Sequence, residues 1–351
     1  MKPRIAILAA VPPNGEKGGA ERFFIGLRDA LVNAGMAAEL VEVCGDERDY
    51  NHIQETYLRF YDLDLRAFDG VISSKAPSYV ARHPNHVCYL LHTMRVFYDM
   101  FDDVFPRPWP ELHEQRRIVQ ALDTAALQVP KTKRVFAIGE EVAARLRNFN
   151  GIDAEVMHHP TSLTGLHEGA FKYLFLPGRL HPWKRIDLAI EAMKFISAPV
   201  DLVISGTGED EDRLRRLAGG DTRIRFVGHV DDEELVSLYA DALAVLFTPR
   251  NEDLGLVTLE AFLSGKPVIT CVDSGEPSRV VRDEESGYVC APDPRQIAPR
   301  IEQLLQSPVH AEAMGRRGMA SIAAITWQRV AASLIDALGF ATCPEFKAVW
   351  S

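Results

Sequence analysis

Short apolar runs recur along this chain, each closing on a glycine or a polar turn and most followed by a stretch of helical spacing. Arg4–Ala10, Glu39–Val43, Gly70–Ser73, His86–Leu91 and Arg134–Ile138 make a first series. Tyr173–Leu176, Val200–Ser205, Ile224–Val227, Ala244–Phe247, Val268–Thr270 and Gly287–Val289 make a second. Continuous apolar runs of this length suit parallel strands buried on both faces. Helical spacing is read over Ala20–Val32, Glu111–Gln128 and Glu140–Asn148, then over Lys184–Ile196, Glu209–Ala218 and Asp231–Tyr239, and the last fifty residues read as mostly helical. Two such alternations predict an α/β protein of two domains with mostly parallel sheets. Pro160, Gly165 and Gly169 interrupt the pattern, so the boundary is expected between His159 and Ala170. The expected division is 1–165, 166–335, and a terminal segment 336–351 packing back on the first domain.

A chain of 351 residues, 47% hydrophobic and 25% charged, can fill two ordinary cores. The net charge of −10 is shared by both halves, which argues against nucleic acid as a partner. Cys44, Cys88, Cys271, Cys290 and Cys343 are widely spaced without a C-x-x-C pair, and read as buried, reduced thiols of a cytoplasmic protein. The first apolar run is too short for a signal-peptide core, and nothing approaches the roughly 18–20 apolar residues of a membrane span. Peripheral contact at the inner face of a membrane stays open.

In open α/β sheets a ligand sits beyond the carboxyl ends of the strands. The chemically informative residues fall at those ends: Gly18-Gly19, His92, Gly178-Arg179, Gly206-Thr207-Gly208, Gly228 and Glu252. One cleft between the domains is the expectation. The densest stretch is Glu252-Asp-Leu-Gly-Leu-Val-Thr-Leu-Glu260. Gly255 turns the chain, so Glu252 is expected on a loop and Glu260 inside the following helix. The first N–H groups of that helix, on Leu256, Val257 and Thr258, lack intrahelical partners and attract an anion. The arrangement suits a sugar nucleotide, with diphosphate on the helix terminus, one carboxylate on the ribose and the other on the sugar. The same spacing also fits a plain loop and helix with two solvated glutamates.

Arg179 and Lys184 offer a two-donor clamp and a point charge to one phosphate group. Arg185 reads as solvent-facing or structural. Gly18 and Gly19 permit close approach to a backbone at a helix start. His92 stands where it can reach a sugar hydroxyl or a phosphate oxygen. His158, His159 and His181 lack metal-ligand spacing, Asp62-Leu-Asp64 reads as structural, and no phosphate-binding G-x-x-x-x-G-K-[ST] loop occurs. Gly206-Thr-Gly208 lacks the third glycine of a dinucleotide fingerprint. No metal and no cofactor are expected.

Taken in order, Gly18-Gly19-Ala-Glu-Arg, Gly178-Arg179…Lys184-Arg-Ile-Asp, Gly206-Thr-Gly208-Glu, Gly228-His-Val and Glu252-Asp-Leu-Gly-Leu-Val…Glu260-Ala…Gly265-Lys-Pro-Val resemble the retaining glycosyltransferases of family 4. The likeness runs over residues 4–295. It implies the GT-B fold, two Rossmann-like domains facing across a cleft, the first binding the acceptor and the second the donor. It implies Arg179 and Lys184 on the donor diphosphate, Glu260 on the ribose and Glu252 on the sugar hydroxyls. Gly19 would approach the donor, the backbone near Val230 would meet the base, and His92 would stand beside the transferring sugar. Gly18, Gly208, Asp253, Gly255, Leu256 and Val257 complete the implied site. Leu254 departs from the pattern, which usually has an aromatic residue there, and would alter the pocket wall. The implied reaction moves a hexosyl group from a UDP- or GDP-sugar to a glycan or lipid-linked saccharide, with retention and without metal, in polysaccharide or glycoconjugate synthesis. A nucleotide-sugar epimerase of this architecture and a non-catalytic sugar-nucleotide-binding subunit are the alternatives.

Overall fold

The structure is a computed structural model that describes residues 2–12 and 19–343. The chain divides into two units, Met1–Ser162 with Ile325–Ser351, and Leu163–Ala324.

The first unit contains β1 (Arg4–Val11), α1 (Gly19–Asn33), β2 (Ala37–Cys44), α2 (Tyr50–Tyr61), β3 (Gly70–Lys75), β4 (His86–His92), α3 (Phe101–Val104), α4 (Pro110–Leu127), β5 (Val135–Ala137), α5 (Glu140–Asn150) and β6 (Glu155–Val156). Its six strands lie in the order β2-β1-β3-β4-β5-β6 and every pairing is parallel. Ile5, Ala6, Ile7 and Leu8 of β1 are fully buried, as a strand covered on both faces must be. Helix α2 falls where the sequence reading placed no element. Asp49 caps it by accepting from the His52 N–H at 3.0 Å, and Ile53, Thr56, Tyr57 and Phe60 form its buried stripe.

The second unit contains β7 (Tyr173–Pro177), α6 (Ile186–Met193), β8 (Leu202–Ser205), α7 (Glu211–Ala218), β9 (Ile224–Gly228), α8 (Asp232–Ala240), β10 (Ala242–Leu246), α9 (Leu256–Leu263), β11 (Val268–Cys271), α10 (Pro277–Val280), β12 (Gly287–Cys290), α11 (Pro294–Gln306) and α12 (Pro308–Ser321). Its sheet, again parallel, has the order β12-β11-β10-β7-β8-β9. The order reverses between β7 and β10, which is where such a sheet opens to a ligand. Leu174, Leu202, Ile204, Ala244 and Leu246 of the strands pack with Ile190, Ile297 and Ile301 of the helices in one core.

Three expectations change. The chain re-enters the first unit at Ile325, ahead of the expected 336. There α13 (Trp327–Ala337) buries Val330, Ala331, Leu334 and Ile335. The Trp327 ring stacks on His159 at 5.5 Å and lies 5.7 Å from Phe23. A Cβ at Gly26 would meet that indole at 2.5 Å, so a glycine is needed where it packs on α1. The helix expected from Lys184 begins only at Ile186, because Pro182–Lys184 form a 3₁₀ turn and Arg185 takes a left-handed conformation, φ 49°. The cysteines are all free, but only Cys88, Cys271 and Cys290 are buried; Cys44 is exposed and Cys343 half-buried. Among the described residues no helix is long and apolar enough to cross a membrane.

Candidate nucleotide-sugar site

The loops leaving β7, β8 and β9 are stitched together by backbone bonds. Gly178 donates to Ser205 (3.1 Å), Leu180 to Thr207 (2.9 Å), Asp210 to Leu180 (3.0 Å) and Gly206 to Gly228 (2.7 Å). The glycines of Gly206-Thr-Gly208 make that approach possible. A Cβ on Gly206 would lie 2.0 Å from the Gly178 carbonyl oxygen, and one on Gly208 2.2 Å from that of Leu180. Both glycines therefore serve the contact between the two loops.

The turn after β7 carries the cations. His181 Nδ1 accepts from the Trp183 N–H at 3.1 Å, which assigns the ring proton to Nε2, 3.1 Å from Glu209 Oε1. Arg179 donates to the other oxygen of Glu209 at 3.3 Å and stays 69% exposed. A backbone N–H, with His181 and Arg179, holds the Glu209 carboxyl below its usual range. Lys184 turns to Glu252 instead, its Nζ lying 2.9 Å from Oε1 and 2.7 Å from Oε2. Its ammonium also stands 5.5 Å from the centre of the Phe247 ring. The two charges assigned separately to phosphate and sugar thus neutralise one another.

Glu252 belongs to a loop whose backbone is fixed. Its N–H donates to the Ser274 carbonyl and its carbonyl accepts from Glu276 N–H, at 3.0 and 2.9 Å. Arg250 N–H reaches the Trp183 carbonyl (2.8 Å) and Asn251 N–H that of Asp273 (3.0 Å). A Cβ on Gly275 would lie 2.5 Å from both the nitrogen and the oxygen of Glu252. Gly255, at φ 75°, is the N-cap of α9, and a Cβ there would press on Pro277 at 2.7 Å and Phe247 at 2.8 Å. Leu256 and Val257 occupy the first turn of α9 and are half-buried. The Thr258 N–H is bonded to the Gly255 carbonyl at 2.9 Å, so it is not the open donor that the helix start suggested. The tight turn at Gly255 folds that carbonyl back over the first residues of α9. Leu254 is 4% exposed and belongs to the interior.

Glu260, half-buried on α9, accepts from the buried Tyr239 hydroxyl at 2.7 Å. Burial and the nearby Glu260 charge push the Tyr239 hydroxyl well above its usual range, so it stays a donor. Tyr239 carried no sequence signal of its own, since its spacing marks only a helix. Val230 and Asp253 are half-buried on their loops, and Asp231 caps α8 by accepting from Glu234 N–H at 2.9 Å.

In the first unit, His92 closes β4, and its Nδ1 lies 3.0 Å from the Thr93 carbonyl, which assigns the proton of a neutral ring to Nδ1. Gly19 opens α1; Gly18 lies outside the described residues. Asp64 pairs with Arg66 at 2.7 Å, and His159 is buried against Phe23 and Trp327. Among the described residues no group of three or more His, Cys, Asp or Glu is arranged to hold a metal ion.

The second unit thus pairs Lys184 and Glu252 on the loops after β7 and β10, where its strand order reverses, with Arg179 on the turn after β7 and Glu260 on α9. A diphosphate there would meet one exposed guanidinium, one ammonium shared with a carboxylate and a helix N-terminus.

Residues 165–320 match the family described as Glycosyl transferases group 1. Over 226 residues the chain is 28% identical to the alpha-1,3/1,6-mannosyltransferase ALG2 of Homo sapiens, covering 58% of this chain and 53% of the relative. Over 193 residues it is 31% identical to the phosphatidyl-myo-inositol mannosyltransferase of Mycobacterium leprae, covering 53% and 51%. The chain thus spans about half the length of these curated relatives. Among solved structures, Anabaena HepE in complex with UDP-glucose superposes with a TM-score of 0.72 at 15% identity, over 96% of this chain and 99% of that one. Together these likenesses show a chain of GT-B fold whose residues 165–320 are similar to the glycosyl transferases group 1 family.

Proposed function

We propose that this protein is a retaining, metal-independent glycosyltransferase that moves a hexosyl group from a UDP- or GDP-sugar to a glycan or lipid-linked saccharide. The observation that carries the proposal is the Lys184–Glu252 pair, 2.7 Å apart where the strand order reverses. An ammonium has three N–H donors, so Lys184 can take up a diphosphate oxygen while keeping one bond to Glu252. Once the phosphate draws the lysine, the Glu252 carboxylate is turned over to the sugar hydroxyls. Arg179 and the first N–H groups of α9 supply the remaining positive potential, which grows in value as charge develops on the departing diphosphate. Glu260, which accepts from Tyr239, would also accept from the ribose diol.

The mannosyltransferase relatives support a hexosyl donor, and the neighbour solved with UDP-glucose supports a nucleoside diphosphate sugar. The relative named for phosphatidyl-myo-inositol supports a lipid-bearing acceptor, which would bring the chain to the inner face of a membrane. Retention, front-face return of the acceptor and a role for Gly19 and His92 come from the family resemblance.

The test is a thermal-shift screen with UDP-glucose, UDP-N-acetylglucosamine, GDP-mannose and ADP-glucose, followed by product analysis. A ligand at 100 times its Kd stabilises a fold by about 2.7 kcal/mol, which a melting curve resolves. A shift with one UDP- or GDP-sugar and a product of unchanged anomeric configuration is the expected result. No shift with any donor, or an epimerised sugar nucleotide without acceptor, refutes the proposal.

A further inference from the structure

We infer that Arg185 is a positioning residue for Glu252, an assignment that rests on the nucleotide-sugar reading for its consequence in the reaction. The Arg185 side chain is 16% exposed and donates four hydrogen bonds. Nε donates to the Thr248 carbonyl at 2.8 Å and Nη2 to the Pro249 carbonyl at 2.7 Å. The same group forks onto Asp273, Nη1 to Oδ2 at 2.7 Å and Nη2 to Oδ1 at 2.6 Å. In return, the Thr248 hydroxyl donates to the Arg185 carbonyl at 3.2 Å.

Both segments that Arg185 grips lead directly to Glu252. Thr248 and Pro249 begin the loop on which it stands. Asp273 begins the loop that pins its backbone, through Asn251 N–H to Asp273 and Glu252 N–H to Ser274. One planar side chain therefore ties the two backbone strands on either side of the carboxylate. A lysine offers a point charge and cannot hold two carbonyls and a bidentate carboxylate together. Arg185 acts through the loops it holds.

Its backbone supports the same conclusion. Arg185 sits at φ 49° and ψ 45°, a conformation that a side chain disfavours and glycine accepts. An arginine kept there has its reason in what the side chain holds. Lys184, the residue before it, has a backbone bond outside these loops: its N–H donates to the His181 carbonyl at 2.9 Å. Loss of the Arg185 side chain should therefore disturb Glu252 more than Lys184.

The experiment uses the full chain with Arg185→Gly, which frees the backbone and deletes the clamp, beside Arg185→Lys and Asp273→Asn. Three quantities are measured: a crystal structure of Arg185→Gly, UDP and GDP affinity by calorimetry, and turnover of UDP-glucose and GDP-mannose. In the crystal, the Lys184–Glu252 contact should open beyond the roughly 4 Å limit of an ion pair. In each variant kcat should fall at least about tenfold while nucleotide affinity moves less than about threefold, a split that loss of fold would not produce. The double variant Arg185→Gly/Asp273→Asn should be no worse than the poorer single one, since the two groups act as a unit. A crystal structure with the contact unchanged overturns the inference, and so do kcat and nucleotide affinity falling together. If the wild type binds neither UDP nor GDP, the nucleotide-sugar reading fails, while the crystal structure still decides whether Arg185 positions Glu252.

Discussion

Replacing Glu252 by glutamine keeps the shape of the side chain and removes its charge, with two opposite consequences. Lys184 loses the carboxylate that occupies it at 2.7 and 2.9 Å. The two side chains are 29% and 22% exposed, so solvent screens the pair and its net worth is about 0.2–1 kcal/mol. Freeing Lys184 should therefore tighten UDP or GDP binding, by no more than about fivefold. The donor sugar, in contrast, loses a charged acceptor for its hydroxyls. Such a bond contributes about 1.5–3 kcal/mol, so kcat/KM for transfer should fall by about 10- to 150-fold. Glu260→Gln should behave differently. Its amide oxygen can still accept from Tyr239, so the fold is kept, but the ribose loses its charged partner and nucleotide affinity should fall about tenfold or more. Calorimetry with the free nucleoside diphosphate, beside a transfer assay with the sugar donor, separates the two effects. If Glu252→Gln weakens the free nucleotide as much as Glu260→Gln does, the division between sugar and ribose recognition is wrong.

Arg179→Ala and Lys184→Ala should each lower kcat/KM by about tenfold or more while leaving melting curves near the wild type, since both side chains lie outside the core; unchanged kcat/KM in both would remove them from the site. Transfer should persist in EDTA, and complete loss on chelation with recovery on adding magnesium or manganese would contradict a diphosphate held by side chains and a helix terminus. Asp123 gives a pH signature in the first unit, where its buried carboxylate accepts from Tyr57 at 2.5 Å and Tyr98 at 2.6 Å. Burial pushes its carboxyl up to about 6 from 3.8, against the pull of the tyrosines. The folded chain therefore holds a proton that the unfolded chain releases between these values. This group adds stability as pH falls through that window, by roughly 3 kcal/mol in full. The stability of the wild type relative to Asp123→Asn should rise on acidification from pH 7 to pH 4, and a flat difference would refute the assignment.

Most strands were legible because burial on both faces of a parallel sheet writes a local signal: Arg4–Ala10 and Val268–Thr270 announce themselves within a few residues, whereas the short, exposed edge strand β6 (Glu155–Val156) carries no such signal and is absent from the sequence reading. The turn at Gly255 was legible for the same reason. Helix α2 was equally local, in its Asp49 cap and its Ile53, Tyr57 and Phe60 stripe, although the neighbouring tyrosines obscured it. Arg179, Lys184, Glu252 and Glu260 could be named as candidates from residue type and spacing, but not their pairings. Lys184 and Glu252 are 68 residues apart and meet because β7 and β10 are neighbours in the sheet. Strand order also places Asp273 and Gly275 against the Glu252 backbone and gives Arg185 its four bonds. The Tyr239–Glu260 bond and the early return of α13 are contacts of the same kind. A window of a few residues records what a segment needs to bury and where it turns; which distant carboxylate or carbonyl satisfies a given donor is decided by the order in which the strands assemble.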